Sequence, residues 1–138
     1  MAKLFQQMNK NFYQINKNFN ELKVNNNINI NNQEIKYNDG KYIGQVVNGI
    51  KEGKGIFYWN DGNRYEGDFR NDKMEGKGIH YYKSGNRYEG DWRNDKREGK
   101  GIIYFNNADR KMGDYYNGNQ IGKHAMLTKN GRKRNILL

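Results

Sequence analysis

Tyr65-Glu66-Gly67-Asp68-Phe69-Arg70-Asn71-Asp72-Lys73 returns 23 residues later as Tyr88-Glu89-Gly90-Asp91-Trp92-Arg93-Asn94-Asp95-Lys96, with Phe exchanged for Trp and nothing else altered. Glu75-Gly76-Lys77-Gly78-Ile79 lies in the same way over Glu98-Gly99-Lys100-Gly101-Ile102 and, one step earlier, over Glu52-Gly53-Lys54-Gly55-Ile56. Gly44, Gly67, Gly90 and Gly113 keep this interval, as do Tyr42, Tyr65 and Tyr88. A fixed period held by many positions at once marks a repeat architecture. Three good copies are present. A fourth begins at Lys111, where Tyr is lost while Gly113, Asp114 and Tyr115 remain, and it fades through Gly122, His124 and Gly131. A terminal unit has a neighbour on one side only, so departure from the pattern is expected there.

Within a unit, Tyr65, Gly67 and Phe69 alternate with Glu66, Asp68 and Arg70, the period of a strand with one apolar face. Asn71 to Met74 read as a turn, Gly78-Ile79-His80-Tyr81-Tyr82 as a second strand, and Lys83-Ser84-Gly85-Asn86 as a closing turn. Each unit is therefore predicted to be a β-hairpin and the array an all-β meander. Gly67 and Gly78 would leave slots in which the Tyr65 ring lies flat against backbone. Gly62, Gly76 and Gly85 fall at bends where a positive φ is expected.

These residues resemble the MORN (membrane occupation and recognition nexus) repeat, in which Tyr-x-Gly is followed by a second group of glycines within one unit. Tyr65-Glu66-Gly67 with Gly76-Lys77-Gly78 is similar to the family pattern, as is Tyr88-Glu89-Gly90 with Gly99-Lys100-Gly101. Tyr42-Ile43-Gly44 starts a third copy, with Ile43 in place of the usual acid and Gly53 and Gly55 following. The resemblance covers residues 42–131 and leaves 1–36 outside. It implies an elongated antiparallel meander of stacked hairpins, with those residues and Gly113 in structural roles. It also implies a non-catalytic, protein-binding scaffold, in settings such as the radial spokes of a ciliary axoneme or a cortical cytoskeleton. For some members it implies contact with phospholipid.

Bulk composition agrees with an open sheet. Hydrophobic residues make up only 34% of the 138, while aromatic residues reach 14%, so burial must come mainly from rings. There is room for one domain. Cysteine is absent, which excludes disulfides and thiolate metal sites and fits a reducing compartment. No apolar run is long enough for a membrane span, and no secretory signal opens the chain. Asn, Lys, Ile and Tyr share AT-rich codons, so part of the Asn excess is read as codon bias.

The net charge of +10 lies at the ends. Residues 42–110 carry 13 basic and 11 acidic side chains, whereas residues 111–138 carry 6 and 1. Repetition lines equivalent positions up into columns: Arg64, Arg87, Arg110 and Lys133; Lys54, Lys77, Lys100 and Lys123; Glu52, Glu75 and Glu98; Asp68, Asp91 and Asp114. Cross-strand ion pairing on a solvated face accounts for them, and a phosphoinositide or acidic-protein surface is the alternative. Lys129, Arg132, Lys133 and Arg134 form a basic tail at 129–138 without a nearby acid. It suits an acidic partner, phosphate on an acidic phospholipid, or an import signal. Nucleic-acid readout is not expected, because the repeat surface is balanced.

Phe5, Met8, Phe12, Ile15, Phe19 and Leu22 are spaced as the seam of an amphipathic helix over residues 1–24, with Lys3, Lys10 and Lys17 away from it. Such a helix needs a surface. It caps its own repeats, pairs with a helix of another protein subunit, or lies on a membrane or acts as a mitochondrial import helix, since no acid precedes Glu21. The start at Met1 weighs against a cleaved leader. Residues 25–41 read as an Asn-rich linker in which Ile28, Ile30, Ile35 and Tyr37 hint at one or two extra strands.

No catalytic site is predicted. His80 and His124 stand alone, as surface residues or as substitutes in the ring ladder, and the carboxylates recur unit by unit as structural positions do. Gly76-Lys77-Gly78 lacks the spacing and following helix of a phosphate loop. No Gly-x-Ser-x-Gly motif occurs. Neither a cofactor nor a metal is expected.

Overall fold

The computed structural model describes residues 32–137, together with Lys3, Gln6, Gln7 and Lys10 in helical conformation. The seam of Phe5, Met8, Phe12, Ile15, Phe19 and Leu22 lies outside the described residues, as do Ile28 and Ile30. The chain divides into two units, 1–30 and 31–138. The second is one antiparallel sheet of ten strands: β1 (Asn32–Tyr37), β2 (Gly40–Val47), β3 (Ile50–Trp59), β4 (Arg64–Arg70), β5 (Lys73–Tyr81), β6 (Arg87–Arg93), β7 (Lys96–Tyr104), β8 (Arg110–Tyr116), β9 (Asn119–Leu127) and β10 (Lys133–Leu137). Strand order in the sheet is chain order, so every connection is a hairpin and the fold is the all-β meander expected.

Two boundaries differ from the sequence reading. The turn after β4 is Asn71-Asp72 alone, and Lys73 and Met74 already belong to β5, with Met74 only 9% exposed. Asn71 and Asp72 both take positive φ (49° and 68°), the two-residue hairpin geometry whose twist matches the flanking strands. Asn94-Asp95, Asn48-Gly49 and Asn117-Gly118 repeat it. The extra strand hinted at by Ile35 and Tyr37 forms as β1, which places Ile35 opposite Tyr42 and Tyr37 opposite Gly40. The supposed tail contributes β10: Lys133 pairs with Leu127 and Arg134 with Met126, leaving Lys129 and Arg132 in the preceding turn.

Each of these tight hairpins contains a bulge. Between the pairs Gly67↔Gly78 and Phe69↔Met74, β4 supplies Asp68 alone where β5 supplies Glu75, Gly76 and Lys77. Gly76 turns the chain at φ 64°, and the Asp68 carboxylate accepts the Lys77 N–H at 3.2 Å. Gly53, Gly99 and Gly122 hold the same conformation in the other units. Such a bulge re-aims the strand beyond it. It is the reason Met74 faces the same side as Tyr65.

Successive hairpins are stitched along both rims. On one, Asp72 and Asp95 accept the backbone N–H of Lys51 and Met74, each at 2.8 Å, while Glu52, Glu75 and Glu98 accept those of Asn71, Asn94 and Asn117. On the other, Asn63, Asn86 and Asp109 accept from Lys83, Asn106 and Lys129 at 2.8 to 2.9 Å. Much of the Asn content therefore has a structural duty.

Candidate functional site

The two faces of the sheet are chemically different, and each is fixed by alternation from Tyr65. On the aromatic face, Tyr42, Tyr65 and Tyr88 are fully buried. Their rings lie over glycine: a Cβ on Gly78 or Gly101 would overlap the ring of Tyr65 or Tyr88, and one on Gly67 would stand 2.7 Å from the Tyr65 hydroxyl. Each hydroxyl donates to the carbonyl three residues on, Tyr42 to Gln45 (2.7 Å), Tyr65 to Asp68 (3.0 Å) and Tyr88 to Asp91 (3.2 Å). Burial pushes these phenols well above their ordinary pKa, so they remain protonated hydrogen-bond donors.

The rings then form a chain of edge contacts. Tyr65 meets Phe69 at 5.2 Å and 90°, and Trp92 of the next unit at 5.2 Å and 80°. Tyr88 meets Trp92 and Tyr115 in the same way, and Tyr42 meets Phe69. Each such pair adds about 0.5–1.5 kcal/mol beyond the area it buries. Val46, Trp59, Tyr82 and Ile103 pack against this cluster and are partly open.

The fourth unit keeps the slot and moves the ring. Lys111 stands where the others have Tyr, and His124 stands where they have Gly78 and Gly101. The imidazole fills the space beside Gly113, where an added Cβ would be 2.5 Å from the ring. Its Nε2 lies 3.0 Å from the Asp114 carbonyl, and its ring meets Tyr115 edge-on at 5.4 Å. His124 is thus a substitute in the ring ladder. His80 is one as well: it is half-buried, and it stacks on Trp59 (5.2 Å, 6°) and Tyr82 (4.5 Å, 11°). Burial lowers its pKa below 6.5, with Arg97 adding to the effect and Asp61 opposing it.

The opposite face carries the charged columns. Lys54 pairs with Asp68, Lys77 with Asp91, and Lys100 with Asp114 at 2.7 Å. Arg64 lies 3.8 Å over the Tyr81 ring and Arg87 3.9 Å over Tyr104, while Arg87 also pairs with Glu89 at 2.9 Å. Ile79 and Ile102 are buried between them.

The predicted site residues thus separate. Tyr42, Tyr65 and Tyr88 join Gly44, Gly55, Gly67, Gly78, Gly90, Gly101 and Gly113 under the ring ladder, while Gly53, Gly76 and Gly99 shape the bulges. Lys129, Arg132, Lys133 and Arg134 are exposed at the last hairpin. What the sequence reading missed is the sorting of charge between the faces. The signal was available, since strand alternation and the repeat put Lys51, Met74, Arg97 and Gln120 in one aromatic-face column. Among the described residues no three His, Asp or Glu side chains are placed to hold a metal, and no helix is long and apolar enough to cross a membrane.

A sheet of stacked hairpins held by rings on glycine, with its charges spent on repeated contacts, defines a repeat scaffold. Residues 42–64, 65–87 and 88–110 each match the MORN repeat model, three consecutive copies that span half the chain. The chain belongs to the MORN-repeat family. No curated protein matches it.

Proposed function

We propose that this protein is a non-catalytic scaffold subunit of a larger assembly, using the sheet as a protein-binding surface and residues 1–24 as a tether. One observation carries the reading: the recurring acids at the turns and in the lysine pairs, and the ladder tyrosines, are occupied by bonds that repeat from unit to unit. Glu52, Glu75 and Glu98 hold turns, Asp68, Asp91 and Asp114 pair with lysines, and the tyrosines are buried donors. A catalytic site needs a constellation that stands apart from such repetition. The family is typically non-enzymatic and points to protein or membrane binding.

A ciliary axoneme, in a radial-spoke-like position, or a cortical cytoskeleton is the setting we favour. The test is where a C-terminally tagged chain resides in its own cell. Residence along cilia or cortex supports the reading; residence in mitochondria replaces it with an accessory subunit of a mitochondrial membrane complex. Phe12→Ser with Phe19→Ser is expected to release the chain from its assembly with the sheet still folded, and unchanged co-purification would rule out the tether.

A second reading rests on the exposure of Lys129, Arg132, Lys133 and Arg134. These side chains suit an adaptor for acidic phospholipid. Flotation with phosphatidylserine vesicles, abolished by neutralising Arg132, Lys133 and Arg134, would favour it; no flotation at physiological salt would sink it.

A further inference from the structure

The aromatic face carries no strand carboxylate. The strand carboxylates, Glu34, Glu52, Glu66, Asp68, Glu75, Glu89, Asp91, Glu98 and Asp114, all alternate onto the opposite face. Lys51, Arg97, Lys111 and Arg134 share the aromatic face with the rings. Lys51 is satisfied, its Nζ 3.4 Å from Asp72 and 4.5 Å from the Tyr37 ring centre. Lys111 is different: among the described residues no carboxylate pairs with it.

Arg97 sharpens the imbalance. Its guanidinium lies 4.8 Å from the Tyr115 ring centre and donates to the Gly118 carbonyl at 2.8 Å, which fixes it in place. Burial, and after it the charge of Arg97, hold the Lys111 amine below its ordinary pKa. Two cations beside a ring surface, with no counter-ion, repel in a medium that screens poorly. A carboxylate brought from outside would relieve both.

Position 111 is also released from packing. In the other units the equivalent residue is a fully buried Tyr; here His124 supplies the ring from the neighbouring strand. The cation can therefore serve a ligand without loosening the core. Half-open Tyr82 and Ile103 lie on the same face and offer apolar area. The flanking stretches are themselves basic: residues 1–31 carry four lysines against one glutamate, and residues 128–138 carry no Asp or Glu.

We propose that the C-terminal half of the aromatic face, centred on Lys111 and Arg97, docks an acidic segment of a partner protein. Its carboxylates pair with the two cations, and its apolar side chains seat against Tyr82 and Ile103. This deepens the scaffold reading and rests on it.

The test is selection from a random-peptide display library on the full chain at physiological salt. The recovered peptides are expected to combine Asp or Glu with large apolar residues. Lys111→Gln should weaken them about tenfold, the scale of one well-placed ion pair. Lys77→Gln, on the other face, should leave them unchanged, and both variants should melt with the parent chain. Peptides without an acid excess, binding indifferent to Lys111, or no enrichment would each overturn the proposal. Phosphatidylserine vesicles that compete with the peptides and need Lys111 would assign the surface to lipid and overturn it too. Co-purification that depends on Phe12 and Phe19 but not on Lys111 would leave the scaffold reading standing and remove this one.

Discussion

The β6–β7 hairpin and the β8–β9 hairpin solve one packing problem from opposite strands. In the first, Tyr88 on β6 lies over Gly101 on β7; in the second, His124 on β9 fills the space beside Gly113 on β8. Both rings meet Tyr115 edge-on, at 5.1 Å and 5.4 Å, and both place a polar atom against a nearby carbonyl. The fold therefore needs a ring over a glycine and is indifferent to which strand bears it.

The largest effect should come from closing the slot. Gly78→Val and Gly101→Val would put side chains where the Tyr65 and Tyr88 rings lie, and each should cost about 3 kcal/mol through overpacking, enough to unfold a marginal domain. An unchanged melting temperature in either would show that the rings are not held by the glycines. Next, His124→Ala should lose about 2–3 kcal/mol by emptying the slot. Lys111→Tyr alone should also destabilise, since two rings would compete. The double variant Lys111→Tyr with His124→Gly should recover most of the loss. A double variant no more stable than His124→Ala would break the equivalence of the two hairpins.

A smaller test uses the other rim. Gly62 and Gly85 have φ near 95°, and Ala108, in the same register, is held at 72°. A side chain in this conformation is strained, so Ala108→Gly should stabilise by about 0.5–1 kcal/mol and Gly85→Ala should lose about as much. Chemical denaturation of both variants measures the pair, and equal midpoints would contradict the strain.

The smallest effect is in pH. The His80 pKa is lowered in the folded chain, so the unfolded chain takes up a proton first on acidification. Stability should be complete above the ordinary value of 6.5 and decline as pH falls through it, until the folded pKa is reached. His80→Phe, which copies Phe57, should flatten the melting temperature across that window. A slope identical to that of the parent would exonerate His80.

How much of this was legible depended on whether a residue acts alone or through a neighbour. The strands, the unit length, the ring over glycine and the bends at Gly62 and Gly85 follow from period and residue type. Met74 was misplaced because the phase of a strand is reset by the bulge at Gly76, and one strand's sequence does not show what its partner lacks. Glu75 looked like one of a column of ion-pairing charges on a solvated face and Asp95 like a plain turn residue, yet each accepts a backbone N–H from an adjoining hairpin, Glu75 that of Asn94 and Asp95 that of Met74. β10 was hidden because its strand is short and begins with two basic residues that read as tail. His124 as a ring-ladder substitute was among the alternatives the sequence offered, but that its ring fills the slot from the opposite strand needs the registry of β8 against β9. The seam from Phe5 to Leu22 keeps only its sequence pattern as support.

The stitching of hairpin to hairpin gives the sheet a directional response to load. Pulled along its strands, the array would resist through many cross-strand hydrogen bonds strained together. Pulled from β1 toward β10, it would yield one strand at a time, because each strand bonds only to its neighbours in sequence. Each rim bond, such as Asp72 to Lys51 or Asp95 to Met74, then acts as a separate catch. A brace built this way is stiff along one axis and extensible along the other.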